Sequence, residues 1–178
     1  MAWTAPMTAV ANTVFTAAQF NTHIRDNLAE TAPSKATTAG RIFVTTGANS
    51  IAERPLETAA ISTSQTTTSV TYADLGTIGP SVTITTGPAA IVWTSCFLQN
   101  STSGASSHVS FDVSGSTTIA ASDVEAIRLN ASAANDFMRA GITSKVVLTP
   151  GSNTFTMKYR VSGNTGTFAN RSITVMSL

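Results

Sequence analysis

His108 and Asp112 are the pair in this chain best placed by spacing to do acid–base chemistry. They stand four residues apart on an alternating run, where residues of equal parity share a strand face. A serine-type relay could be written around them, because the chain carries 21 serines. With so many serines such a coincidence is expected, and no Gly-x-Ser-x-Gly elbow offers an exposed nucleophile. His23 precedes Asp26 at helical i,i+3 spacing and reads as a solvent-facing or interface histidine. Asp123 and Glu125 are the only close same-parity pair among nine carboxylates. A glycosidase dyad or a calcium site could begin from such a pair, but no Asp-x-Asp-x-Asp-Gly loop accompanies it. Ser162-Gly-Asn-Thr-Gly166 falls between strands rather than ahead of a helix, so it reads as a hairpin turn and not a phosphate cradle. Cys96 is the single cysteine, which excludes an intrachain disulfide and a cysteine metal cluster. No catalytic centre, cofactor site or metal site is expected, and the chain reads as non-enzymatic.

The composition points the same way. Charged residues make up 11% of 178, against roughly 25% in an average soluble domain. Thr (31) and Ser (21) take over the surface role that Lys and Glu usually fill. Thr is β-branched and suits a half-exposed pleated surface, so strands are favoured over helices. A net charge of +1 without a basic run gives counterion-release binding little to work with, and no nucleic-acid partner is expected. The first residues lack a positive n-region and an apolar h-region, and no apolar run approaches the roughly 20 residues of a span. Synthesis in a reducing cytoplasm without membrane insertion is the expectation.

The elements that would position any site divide the chain unevenly. Residues 1–33 read as an attachment segment with one helix. Thr16 and Gln19 have capping-box spacing, and Phe15 and Phe20 stand where a hydrophobic staple forms. Phe20, Ile24 and Leu28 give one apolar stripe on a helix from about Ala17 to Glu30, with Pro33 ending it. Three residues make a stripe too narrow to stand alone, so it must bury itself on the β-domain, on sister copies or on another protein. Trp3 is either a docking anchor or folds back on its own helix. Residues 34–69 read as a linker with a hairpin over 41–45 and 50–53, followed by a low-complexity stretch, Ser62 to Ser69, serving as junction or edge.

From residue 70 to 178 the period is two. Val82 and Ile84, then Val109, Phe111 and Val113, then Phe155, Met157, Tyr159 and Val161 alternate with polar partners. Ile91 to Leu98 is apolar at nearly every position, which suggests a central strand covered on both faces, with Trp93 and Phe97 in the core. Turn signals fall between the runs. The fold class is therefore mainly β, an antiparallel, jelly-roll-like sandwich with a short N-terminal α-helix and linker.

Two stretches carry a resemblance. Phe15-Thr-Ala-Ala-Gln-Phe-Asn21 with His23-Ile-Arg-Asp-Asn-Leu28 resembles the N-terminal segment of minor tail and fibre proteins of tailed phages infecting actinobacteria. The run from Thr71 to Gly87, with Leu148 to Arg160 and Gly166 to Val175, is similar to the C-terminal β-domains of such proteins. The resemblance implies a virion-surface protein made in the host cytoplasm, homotrimeric and attached through its N-terminus to a major capsid or tail protein. Trp3, Phe15, Phe20, Ile24 and Leu28 are the expected attachment or oligomer contacts. The chain is short for a tail fibre, which favours a spike, head fibre or capsid decoration protein. A tail-associated module that binds a host receptor or surface glycan is the alternative.

Overall fold

The computed structural model describes residues 3–178, with Pro33 by its backbone alone. Contacts divide the chain into two units, the first ending at Pro55 and the second running from Leu56 to Leu178.

In the first unit the Thr16 capping box forms as the spacing predicts. Gln19 N donates to Thr16 Oγ1 at 3.2 Å and Thr16 N donates back to Gln19 Oε1 at 2.9 Å. Phe15 and Phe20 close the staple edge-to-face at 6.2 Å. The helix spans 17–29, but its middle, Asn21–Arg25, is a π-turn between two short α segments. Pro33 does not stop this helix. The helix ends at Ala29, and a further one-turn helix, Ala32–Lys35, takes the proline in its opening turn, where no N–H is missed. The hairpin pairs β1 (Ile42–Gly47) with β2 (Ser50–Arg54) around Asn49, which holds φ at 54°.

The second unit is built from β3 (Leu56–Ile61), β4 (Gln65–Thr67), β5 (Ser81–Thr86), β6 (Ala89–Asn100), β7 (Ser106–Gly115), β8 (Ile127–Asn130), β9 (Asp136–Val147), β10 (Gly151–Val161) and β11 (Gly166–Ser177). One sheet has the order β5-β10-β7-β8 and the other β3-β11-β6-β9, with β4 also paired to β11. Every pairing is antiparallel. Setting β4 aside, every connection except β7–β8 crosses from one sheet to the other, the interleaving of a jelly roll. β3 and β4 lie in the stretch read as linker and junction, and both pair with β11.

The core lies between the sheets. Phe155, Met157, Tyr159 and Val161 of β10, with Val109, Phe111 and Val113 of β7, face Val92, Cys96 and Leu98 of β6 and Phe168, Ile173 and Val175 of β11. Each large apolar side chain buried here contributes about 1.5–3 kcal/mol. The outer faces explain the Thr and Ser. Hydroxyls pair across strands at Thr83–Thr154, Ser81–Thr156, Thr58–Thr174 and Ser95–Ser172, all at 2.8–2.9 Å. Trp93 and Phe97 are on an outer face too, contrary to their expected place in the core. The opposite parity of β6 faces inward, leaving Trp93 partly exposed and Phe97 stacked on Phe137 at 5.6 Å. Burial pushes the inward Cys96 thiol up to about 12, so it holds its proton at neutral pH.

A bulge in β11 sets the most unusual core contact. Register slips between Ala169 and Ser172, with Asn170 at φ 46°, so the inward parity changes from Phe168 to Arg171, Ile173 and Val175. Arg171 is thereby turned into the interior at 0% exposure. Its Nη1 donates to Gly79 O at 3.1 Å, its Nη2 donates to Gln65 Oε1 at 3.1 Å, and its guanidinium lies 5.4 Å from the Tyr159 ring centre.

Candidate functional site

The outer face of the β5-β10-β7-β8 sheet carries the chain's main assembly of titratable groups. β7 alternates, so Val109 and Phe111 go inward while His108, Ser110 and Asp112 go outward. β10 opposes them in register, Arg160 across from His108 and Lys158 across from Ser110. On the far side of β10, Ala73 bridges Tyr159 through paired backbone bonds of 3.0 Å. That bridge places Asp74 beside Lys158 and Tyr72 beside Arg160. After β7 the chain folds back through a bridge from Ile119 to Val113, which brings the short 3₁₀ turn Asp123–Glu125 over the same face.

The result is a cleft of about 850 Å³ walled by the two loops and floored by Asp112, Lys158 and Arg160. Lys158 Nζ lies 2.7 Å from Asp74 Oδ1 and 3.4 Å from Asp112 Oδ2. Burial works against its charge, but the two carboxylates outweigh it and hold the ammonium above its ordinary pKa. Arg160 forms a bidentate pair with Asp123, its Nε at 3.0 Å from Oδ1 and its Nη2 on Oδ2. Tyr72 donates its hydroxyl to Asp123 Oδ1 at 2.8 Å, and Arg160 lies 5.4 Å from the Tyr72 ring centre. Arg160 and then the Tyr72 hydroxyl hold the Asp123 carboxyl down at about 2. Burial, then the bond to Asp123, pushes the Tyr72 phenol well above its usual value.

The paper pair His108–Asp112 is not the one that forms. Asp112 goes to Lys158, while His108 Nδ1 lies 3.4 Å from Asp123 Oδ1 and its Nε2 lies 2.8 Å from Ser106 Oγ. Ser106, His108 and Asp123 thus follow the atom order of a serine-hydrolase relay. Ser106 is only 4% exposed, however, and neither it nor His108 lines the cleft. Asp123 is meanwhile bonded to Arg160 and Tyr72. Through Asp123, the bonds from Arg160 and Tyr72 tie the 116–126 loop to the sheet. Asp123 and Glu125 share the 3₁₀ turn, and among the described residues no cluster of three His, Cys, Asp or Glu is arranged to hold a metal ion. No spacing rule could have found this site, since its members converge from residues 72, 74, 112, 123, 158 and 160.

The cleft makes acid sensitivity specific. Burial first, and the nearby Arg160 second, lower the His108 pKa from 6.5, so folding favours the neutral ring. Stability contributed by that ring is complete above pH 6.5 and falls as pH drops toward its folded value, where the unfolded chain binds the extra proton. Asp123 behaves separately. Its contribution is complete above 3.8 and is lost as pH falls through about 2. Melting temperature against pH should therefore decline in two limbs. His108→Gln is expected to remove the upper limb and keep the lower; an unchanged upper limb would rule out His108 as its source.

The expected attachment residues are all in the first unit. Phe15, Phe20, Ile24 and Leu28 are exposed, as are Val10 and Val14. Trp3 folds back in its own unit, beside a groove of about 250 Å³ lined by Glu30 and the hairpin residues Thr45, Gly47, Asn49, Ser50 and Ile51. Asn27, buried, acts as a clamp. It takes a bond from Thr4 N at 2.9 Å, and its amide donates to Thr4 O at 2.9 Å and His23 O at 3.1 Å. His23 Nδ1 lies 3.1 Å from Ala5 O rather than pairing with Asp26. An asparagine inside a helix, where its propensity is poor, was the available signal for such a role.

No family model matches the chain, and no curated protein does. Solved structures do. The chain is similar to a structure of infectious bursal disease virus, Gx strain, at 13% identity and TM-score 0.50, covering 75% of this chain and 36% of that one. It is similar to a mutant VP2 protein in T=1 particles of the same virus at 12% identity and TM-score 0.50, covering 75% and 35%. The Eiger TNF of S. frugiperda matches at 8% identity and TM-score 0.48, covering 70% and 94%. The chain thus spans about a third of the viral capsid proteins it resembles. At these identities the likeness shows the fold, a mainly antiparallel β-sandwich of the jelly-roll kind. No helix among the described residues is long and apolar enough to cross a membrane.

Proposed function

We propose that this chain is a non-catalytic structural protein of a bacteriophage virion, a short trimeric spike, head fibre or capsid decoration protein. Its N-terminal unit attaches to the major capsid or tail protein and its β-unit is displayed. The observation that carries the reading is the contrast between the units. The β-unit has a complete core, whereas among residues 3–55 no Val, Ile, Leu, Met, Phe or Trp is buried. A segment that orders its backbone through caps and an asparagine clamp, yet buries none of these side chains, needs partners to offset its conformational entropy. Three copies around an axis, seated on a particle, would cover Phe20, Ile24 and Leu28. The sandwich's likeness to viral capsid proteins supports a particle role, and its hydroxyl-paired, weakly charged surface suits an exposed position.

Light scattering on the purified chain is expected to give about three times the 18.4 kDa protomer mass. Replacing Phe20, Ile24 and Leu28 together by Ser should yield monomers whose β-unit melts as before. A monomeric wild type at micromolar concentration would refute the trimer. An antibody raised to residues 70–178 should decorate particles in electron micrographs, and absence of the chain from purified particles would refute the virion assignment.

A further inference from the structure

We propose that, in the trimer on which this inference rests, the β-units of neighbouring copies meet edge to edge, the β3 side of one against β9 of the next. This is a contact that the helix stripe does not supply.

β3 and β9 are the opposite edges of one sheet. β9 runs for 12 residues, paired to β6 without a bulge, and its far edge has no ladder partner. A long, regular edge of this kind is a template for another chain unless something covers it. Its outward residues Phe137, Arg139, Lys145 and Val147 are exposed. Among the described residues neither of these two cations has an ion pair. On the opposite side Leu56 and Glu57 of β3 are exposed, as is Ile78 ahead of β5. Glu57 likewise has no ion pair among the described residues.

The two edges match in height as well as in charge. Leu56, Met176, Ile91 and Lys145 stand in one row across the sheet, so Glu57 and Lys145 differ by one residue along the strands. Gln65, Phe168, Leu98 and Met138 form another row, next to Phe137. The Gln65 side chain bonds Thr77, beside Ile78, so Ile78 shares that height. A three-fold axis running along the strands keeps each row level from copy to copy. It would set Lys145 against the next copy's Glu57, and Phe137 against its Ile78. A two-fold pairing of β9 with itself would instead set a strip of cations against the same cations, which is unfavourable. An exposed ion pair and a small apolar contact are weak alone. The first units, by holding three copies together, supply the local concentration at which they form.

The test is oxidative cross-linking of the intact chain carrying Glu57→Cys and Lys145→Cys together. A covalent trimer is expected on a denaturing, non-reducing gel. Neither single variant should cross-link, because a head-to-tail junction never brings two like residues together. Cys96 is buried and does not compete. In light scattering at low salt, Glu57→Lys should weaken trimer association about tenfold, and adding Lys145→Glu should restore it. A trimer whose double-cysteine variant gives no covalent product overturns the edge contact and leaves the trimer standing. Cross-linking of either single variant overturns it as well, by revealing a two-fold contact. A monomeric wild type removes the trimer itself, and the edge contact with it.

Discussion

Arg171→Ala is expected to destabilise the β-unit by about 3–5 kcal/mol, the range for stripping a large side chain or a bonded charge from a core. That corresponds to a fall of roughly 10–20 °C in melting temperature for a unit of this size. The loss has two parts. Alanine leaves a cavity against Tyr159, whose ring the guanidinium faces at 5.4 Å. It also removes the donors to Gly79 O and Gln65 Oε1, and with them the link between β11, β4 and the segment leading into β5. Arg171→Met separates the parts, because methionine refills much of the volume but supplies no donor. Its melting temperature should lie between wild type and alanine. An alanine variant within about 1 kcal/mol of wild type would show that the buried cation is dispensable, as some buried charges are.

Gly115→Ala should be nearly as damaging, at about 2–4 kcal/mol, although it adds a single methyl group. Gly115 closes β7 at φ +108°, a conformation that L side chains rarely adopt. A Cβ there would press into Ser152 O and stand 3.3 Å from Asn153 Cα, so backbone rather than a flexible side chain would have to move. Ser152 O is also the acceptor for Ser116 N at 2.9 Å. The neighbouring Asn153 is fully buried and ties Thr86 Oγ1 to Thr117 N at 2.7 Å each. Displacing this strand end would disturb all of these bonds together. Gly163→Ala is the control. It sits in the β10–β11 turn with nothing within 4 Å of its Cβ, and chemical denaturation should find it within about 0.5 kcal/mol of wild type. Equal effects at the two glycines would remove the steric explanation.

Local chemistry was the most legible part of the chain. The Thr16–Gln19 box and the Phe15–Phe20 staple form as their spacing predicts, because every partner lies within five residues. The alternation of β10 was equally plain, since each inward residue has a polar neighbour. Trp93 and Phe97 show where periodicity runs out. A run that is apolar at both parities does not say which parity faces the core. Arg171 carries a subtler signal: it shares its parity with Ile173 and Val175, while Phe168 has the other, and together they mark a bulge.

The helix with its caps, the strand-rich composition and the period of two were determined by the sequence alone. They depend on residues a few positions apart and on intrinsic conformational preference. Tertiary structure decided the rest. β3 and β4 become strands because β11, over 90 residues away, offers them a ladder. Asp123 reaches His108, Arg160 and Tyr72 because a loop folds back over the outer face of a sheet. Such contacts follow from how the two sheets interleave, and this is fixed by burying a common core rather than by any neighbour along the chain.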